Sequence, residues 1–305
     1  MRMQLNATGL KKLQSLLETK VHNMETAETL INFLTSSKRY LNKRSIDRIA
    51  KLHQLPEADA FAKLILIQCG VHDKDDRFPL IEKKYLQGQV HHIDARVYEQ
   101  NPYFKTIHCQ DTKLGRWNLR YDKYLPYQAF AYQDLKVNPS EHYLEVTPLG
   151  YLDQPLAYLA VSENDVTWMS VTPFEIETMQ PLINQVKGHV LMLGLGLGYF
   201  AFMATLKTNV HHITIIEKNQ NIIRLFKEQI FPQFPHQDKI TIIQADAFTY
   251  AETHLKDHTF GSIFVDLYHD AKDGLAVYLK MKKIEILQPT LPVYYWLEKS
   301  ILALL

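Results

Sequence analysis

From residue 189 onward the chain alternates short Ile/Val/Leu runs with helix-like segments. The runs are HVLML, HITIIE, KITIIQ, SIFVDL and VYYWL. Between them lie YFAFMATLK, NQNIIRLFKEQI, a stretch starting near Phe248, and GLAVYLKMKKIEIL. Strands apolar on both faces, each followed by a helix, require a parallel sheet covered on both sides. In such a sheet a ligand sits beyond the carboxyl ends of the strands, where the strand order reverses. That edge is where the chemistry of this chain is expected.

The first run ends in LGLGLGYF, which places glycines at 194, 196 and 198. A dinucleotide fingerprint, G-x-G-x-x-G, would need its third glycine at position 199, which is Tyr199. No Gly-Lys-Ser/Thr follows, so a P-loop is excluded as well. Glycines here permit unusual φ values and let a ligand approach the backbone, with Leu195 between them, while the next helix offers free N–H groups. Glu217 closes the second strand, near the offset at which an acid meets ribose hydroxyls. Asp246-Ala247 follows the third strand and Asp266 closes the fourth. Helix caps or loop acids would explain each of these singly. A glycine loop and three acids at four successive strand ends together form a nucleoside-binding set.

That set resembles the class I S-adenosylmethionine-dependent methyltransferases, over about residues 186–298. The resemblance implies a Rossmann-like α/β sheet with S-adenosyl-L-methionine as cofactor. It implies the methionine moiety against Gly194, Leu195, Gly196 and Gly198, the ribose on Glu217 beside Lys218, and the adenine near Asp246 and Ala247. The segment WMSVTPFEIETMQPLI looks like the helix that precedes the glycine strand in several small-molecule methyltransferases. There Thr172-Pro173 and Glu175 or Glu177 would help close over the cofactor, with Trp168 and Met169 nearby. Thirty-nine residues follow Asp266, so the sheet is expected to be C-terminally short, without the family's last two strands.

The chain is also distantly similar to spermidine-synthase-like proteins, which transfer aminopropyl groups. That family carries an acid inside its glycine loop, where this chain has Leu197, and its Asp-Ser-Ser-Asp-Pro loop is replaced by DLYHD. Methyl transfer is therefore the favoured activity, with aminopropyl transfer or a non-catalytic cofactor-binding scaffold as alternatives. Because the sulfonium is already activated, the protein must align the acceptor and remove its proton. The loop DLYHDAKDG supplies candidates: His269 or Asp270 as base, Asp266 to orient, and Tyr268 to pack over the cofactor. No metal is expected. Asp266, Asp270 and Asp273 lack a matching Asn, and His91-His92-x-Asp94 lacks a third ligand pattern. Asn101-Pro102-Tyr103 reads as a turn.

Upstream, residues 1–95 read as a helical domain and 96–180 as a β-rich region leading into the cofactor-binding domain, 181–305. Leu10, Leu13, Leu16, Leu17 and Val21 share a face of the first helix. Ser45 is a plausible N-cap, and Leu55-Pro56 breaks two short helices in a pattern like a helix-turn-helix. The segment after Pro56 offers Glu57, Asp59 and one lysine, Lys63, so nucleic acid is a poor partner. Residues 1–60 hold ten Lys/Arg against six Asp/Glu, but the whole chain has a formal net charge of +1. Neither a polyanion nor a membrane surface is favoured. Two unpaired cysteines, with no apolar run of membrane length and no signal-peptide pattern, lead to the expectation of a cytoplasmic protein. Its partners are then the cofactor and an acceptor the sequence does not name, preferably a small molecule, with room for a homodimer.

Overall fold

A computed structural model describes residues 6–71, 78–255, 260–286 and 288–305. Contacts divide the chain into two compact units, Met1–Asp94 with Tyr124–Pro155, and Ala95–Lys123 with Leu156–Leu305. Segments of the β-rich stretch 96–180 therefore fall in both units. Strand pairing is the physical reason. Leu149–Leu152 pairs with Val90–Ile93 and Phe130–Ala131 in the first unit. Trp117–Tyr124, Leu156–Glu163 and Val166–Ser170 build a separate sheet with Thr112–Leu114.

In the first unit, the helix Ala7–Thr35 starts at Asn6, whose side chain accepts the Gly9 N–H at 2.8 Å. This helix packs through Asn23, Thr26, Leu30 and Phe33, not through the Leu10, Leu13, Leu17 and Val21 face. Asn23 fixes that choice. Its amide donates to the Tyr143 carbonyl at 2.9 Å, and its oxygen accepts from the Tyr85 hydroxyl and the Glu145 N–H. The next helix, Lys43–His53, is capped by Asn42 and not by Ser45. Pro56 then sets the start of the helix Glu57–Gln68, as the sequence break implies. Every residue from Ala60 to Leu66 of that helix is buried, Lys63 included, which lies 3.3 Å from Glu82. The middle two turns of that helix are thus enclosed.

In the second unit, five parallel strands form one sheet: β1 (Gly188–Leu193), β2 (Val210–Glu217), β3 (Ile240–Gln244), β4 (Ser262–Val265) and β5 (Val293–Tyr295). Their order is 3-2-1-4-5, a doubly wound, Rossmann-like arrangement whose order reverses between β1 and β4. The middle of β1 and β2 is fully enclosed, as expected of strands covered on both faces. The helices Tyr199–Thr205, Gln220–Leu225, Ala247–His254 and Ala271–Glu285 follow the first four strands. Among the described residues, no helix is long and apolar enough to cross a membrane.

Candidate functional site

Ladder hydrogen bonds run one residue past the strand ends and lock the site-bearing residues in place. Gly194 N–H donates to Ile216 O and Asp266 N–H donates to Leu193 O, each at 2.9 Å. Ala245 N–H donates to Glu217 O at 3.1 Å. Gly194, Glu217, Asp246 and Asp266 thus share the carboxyl edge of the sheet. They line one cavity of about 260 Å³ together with Leu195, Gly196, Lys218, Ala247 and His269.

The three glycines do different jobs, and only one faces the cavity in the way the sequence implies. Gly194 has φ +98°, and a Cβ there would lie 1.9 Å from the Asp266 carbonyl oxygen. Gly198 has φ +76°, and a Cβ there would meet the Phe226 ring at 2.4 Å. These two glycines exist for close packing of the chain on itself. Gly196, with φ +56°, has nothing within 4 Å of its would-be Cβ, so it alone leaves backbone bare toward open space. Gly198 N–H donates to Leu195 O at 3.1 Å and caps the short helix Tyr199–Thr205.

Glu217 accepts two backbone N–H bonds, from Leu195 at 3.2 Å through one oxygen and from Asn219 at 2.7 Å through the other. The carboxylate therefore ties the glycine loop to the end of β2 while it lines the cavity. Asp246 caps the helix Ala247–His254, accepting from the Thr249 N–H at 2.9 Å and the Thr249 hydroxyl at 3.1 Å. Those bonds hold its carboxyl below the usual range. All of this bonding uses one oxygen, so the capping role and a place on the cavity wall coexist.

Asp266 differs. Its side chain is half-buried on the cavity wall, and desolvation of the carboxyl pushes it up to about 8, with the charges of Glu175 and Glu217 adding. Burial also pushes Glu175 up to about 7, against hydrogen bonds from Thr172 and Ser170 that favour its ionised form. Glu175 is the N3 residue of a capping box with Thr172, at the start of the helix Pro173–Gln185. The sequence signal was the Thr-Pro-Phe-Glu string itself. Glu177, the other acid of that segment, accepts from the Tyr98 hydroxyl at 2.9 Å.

The loop after β4 separates its candidates. His269 lines the cavity and stands edge-on against Trp168, ring centroids 4.1 Å apart. Asp270 is exposed, caps the helix Ala271–Glu285 and accepts the Asp273 N–H at 3.0 Å; it is not on the cavity wall. Tyr268 reaches the wall too, but its hydroxyl donates to the Trp296 carbonyl. Among the described residues, no three His, Cys, Asp or Glu side chains converge to hold a metal ion.

Asn101-Pro102-Tyr103, which reads as a turn in the sequence, instead opens the short helix Pro102–Thr106, and its Asn101 and Tyr103 belong to the site's support. The buried Tyr103 hydroxyl donates to Leu197 O in the glycine loop at 2.7 Å. Asn101 caps its own short helix, Pro102–Thr106, and donates to the Tyr199 hydroxyl at 3.1 Å. A segment some 90 positions upstream thus braces the loop from behind. No periodicity or local motif signals such a contact.

The donor set fits a nucleoside carrying a positive charge. Among the described residues of its wall three acids, Glu217, Asp246 and Asp266, stand against one lysine, Lys218, beside apolar side chains such as Phe248 and Val277, and bare backbone at Gly196 gives room for close approach. A pyrophosphate would meet like charge at Asp246, whose carboxyl is held ionised on the cavity wall.

No protein-family model matches the chain, and no curated protein does. Solved structures with partial similarity include spermidine synthase from Thermotoga maritima, at 16% identity over 39% of this chain and 44% of that one, TM-score 0.30. Spermidine synthase in complex with the transition state analogue AdoDATO gives the same figures. An SAH-bound methyltransferase from Podospora anserina is 23% identical over 39% of this chain and 49% of that one, TM-score 0.29. The chain spans less than half the length of each, and the fold assignment rests on its own strand order.

Proposed function

We propose that this chain is a class I S-adenosylmethionine-dependent methyltransferase whose acceptor is a small molecule rather than DNA. The observation that carries this is the single cavity shared by Gly196, Glu217, Asp246 and Asp266 at the point where the strand order reverses. In this reading Glu217 accepts the ribose hydroxyls and the Asp246-Ala247 turn meets the adenine, with Leu195 and Lys218 on the adjoining wall. Gly194 and Gly198 keep the loop in shape, and Gly196 lets the ligand approach the backbone. Asp266, backed by Glu175, supplies negative charge toward a sulfonium.

When bound, S-adenosylmethionine supplies a methyl group already activated on sulfur. The chain's own work is to align the acceptor, exclude water and take a proton from it. His269 is the residue placed for that proton transfer, since it lines the cavity and is held by Trp168. Asp270 acts through its helix cap, fixing the loop that carries His269. We further place the protein in the cytoplasm.

Aminopropyl transfer ranks second. The Leu197 side chain is buried and its carbonyl accepts from Tyr103, so that position offers no acid to a cofactor amine. The test is incubation with methyl-tritiated S-adenosylmethionine and panels of metabolite, protein and RNA acceptors. Label transfer to a metabolite supports the proposal. Transfer from decarboxylated cofactor to a polyamine would support the alternative, and cofactor binding without any transfer would favour a scaffold.

A further inference from the structure

The second unit holds another cavity, of about 240 Å³, and no residue lines both it and the cavity at the sheet edge. Tyr103, Phe104 and Ile107 reach it from the helix Pro102–Thr106 and the residue that closes that helix. Ala157 and Leu159, two positions apart on the strand Leu156–Glu163, present one face to it, and Tyr121 joins them from Trp117–Tyr124 of the same sheet. Tyr103, Ile107 and Leu159 are buried and make the floor, while Glu99 and His108 are exposed and stand at the mouth. An apolar, aromatic floor with a few polar groups above it is the usual form of a small-molecule site. The volume lies below the roughly 300–1,000 Å³ typical of drug-sized ligands, so the occupant is small.

The polar atoms still available select the ligand. The Tyr103 hydroxyl is engaged by Leu197 O. The Tyr121 hydroxyl donates to Ile107 O at 3.2 Å and accepts the Cys109 N–H at 3.4 Å. His108 sets its Nε2 3.1 Å from Lys105 O. A carbonyl only accepts, so Nε2 carries the proton and Nδ1 of the neutral ring keeps its lone pair. Glu99 has no hydrogen-bond or ion-pair partner for its carboxylate among the described residues. Nor does any lysine or arginine among them line the cavity. Two acceptors thus remain, one of them anionic, beside aromatic rings whose faces attract cations. An anionic ligand would meet Glu99 with like charge and find no cationic side chain. An ammonium finds a carboxylate and ring faces together.

Tyr103 also joins this cavity to the glycine loop. Its ring stands edge-on against Tyr199 and Phe202, centroids 5.6 and 5.4 Å away, while its hydroxyl holds Leu197 O. A ligand packed on that ring restrains the group that braces the loop, and so disfavours local opening there.

We propose that this cavity is a second small-molecule site, which takes a primary ammonium on a compact apolar body and steadies the glycine loop through Tyr103.

Benzylamine, benzyl alcohol and benzoate share one body and differ in charge. Calorimetric titration of the full chain with each, without S-adenosylmethionine, keeps the test independent of the cofactor. Benzylamine should bind most tightly and benzoate least. Glu99→Gln should weaken benzylamine by about threefold to fivefold, the range of an exposed ion pair, and leave benzyl alcohol unchanged. Ala157→Phe, at an exposed position, should fill the cavity and abolish binding of both, with thermal melts establishing that the variants stay folded. By exchange mass spectrometry, benzylamine should slow exchange at residues 194–198 in the wild type but not in Tyr103→Phe. Absence of saturable benzylamine binding at millimolar concentration overturns the proposal. So does benzoate binding as tightly as benzylamine, or benzylamine affinity unchanged in Glu99→Gln or in folded Ala157→Phe. Loop exchange in the wild type that ignores bound benzylamine overturns it as well.

Discussion

A side chain on Gly194 would put its first carbon 1.9 Å from the carbonyl oxygen of Asp266, across the point where the sheet reverses order. These two residues, 72 positions apart, fix the floor of the cavity: the strand end can approach only because residue 194 has no Cβ. Gly196, two positions later, has open space where Gly194 has backbone. Gly194→Ala should therefore destabilise the protein by about 2 kcal/mol or more, since backbone must move. Gly196→Ala should cost only the left-handed strain, about 1–2 kcal/mol, but weaken cofactor binding. Denaturant unfolding and calorimetry on the two variants separate the effects.

Glu217 has a double task, bracing the loop through two backbone N–H groups and facing the ligand. Glu217→Gln keeps an acceptor oxygen but loses the charge, so it should retain more affinity than Glu217→Ala. Loss of charge-assisted hydrogen bonds at about 1.5–3 kcal/mol corresponds to a decrease of roughly 10- to 100-fold for the alanine variant. Equilibrium dialysis with labelled cofactor measures it.

The pH dependence has a definite sign. Asp266 is raised to about 8 and Glu175 to about 7, so the folded protein holds protons that the unfolded chain has released. Their contribution to stability is fully present below the ordinary carboxyl range. It is lost as pH rises through about 7 and 8. A bound cation reverses the preference by pairing with the ionised forms. Cofactor affinity should rise across about pH 6 to 9, with proton release on binding. Titrations in buffers of different ionisation enthalpy read that release directly, and Asp266→Asn should flatten the profile.

Tyr103→Phe removes the hydroxyl that satisfies Leu197 O and leaves a carbonyl without its partner in a buried place. The expected cost is about 1–3 kcal/mol. Faster hydrogen exchange should appear at the glycine loop, and exchange mass spectrometry would detect it.

His269→Ala should reduce methyl transfer by about 100-fold, the lower range for loss of a general base, with cofactor affinity little changed. Asp270→Ala should act instead on helix stability, by about 1 kcal/mol for a lost N-cap. Single-turnover rates and thermal melts distinguish the two.

Much of the second unit was legible because its signals are local. Runs such as HITIIE and KITIIQ are strands on composition alone, and the residues closing them land at one sheet edge whatever the loops do. The separate roles of the three glycines were not legible, because they depend on what lies opposite: Asp266, Phe226 or open space. Asn101 and Tyr103 were missed for a related reason, since their partners are 98 and 94 positions away. The first helix shows the limit of periodicity most clearly. Its apolar stripe is real, yet the helix packs through the other face, where Asn23 finds three partners. An apolar face states what can be buried, and polar anchors decide which face is.

Isothermal titration of the purified chain with S-adenosylmethionine, beside its Gly196→Ala and Glu217→Ala variants, reads whether the cavity at the sheet edge holds this cofactor. One site per chain is expected, weakened in both variants while Gly196→Ala and wild type melt within a few degrees of each other. Absence of binding at millimolar cofactor, or affinity unchanged in both variants, would contradict it.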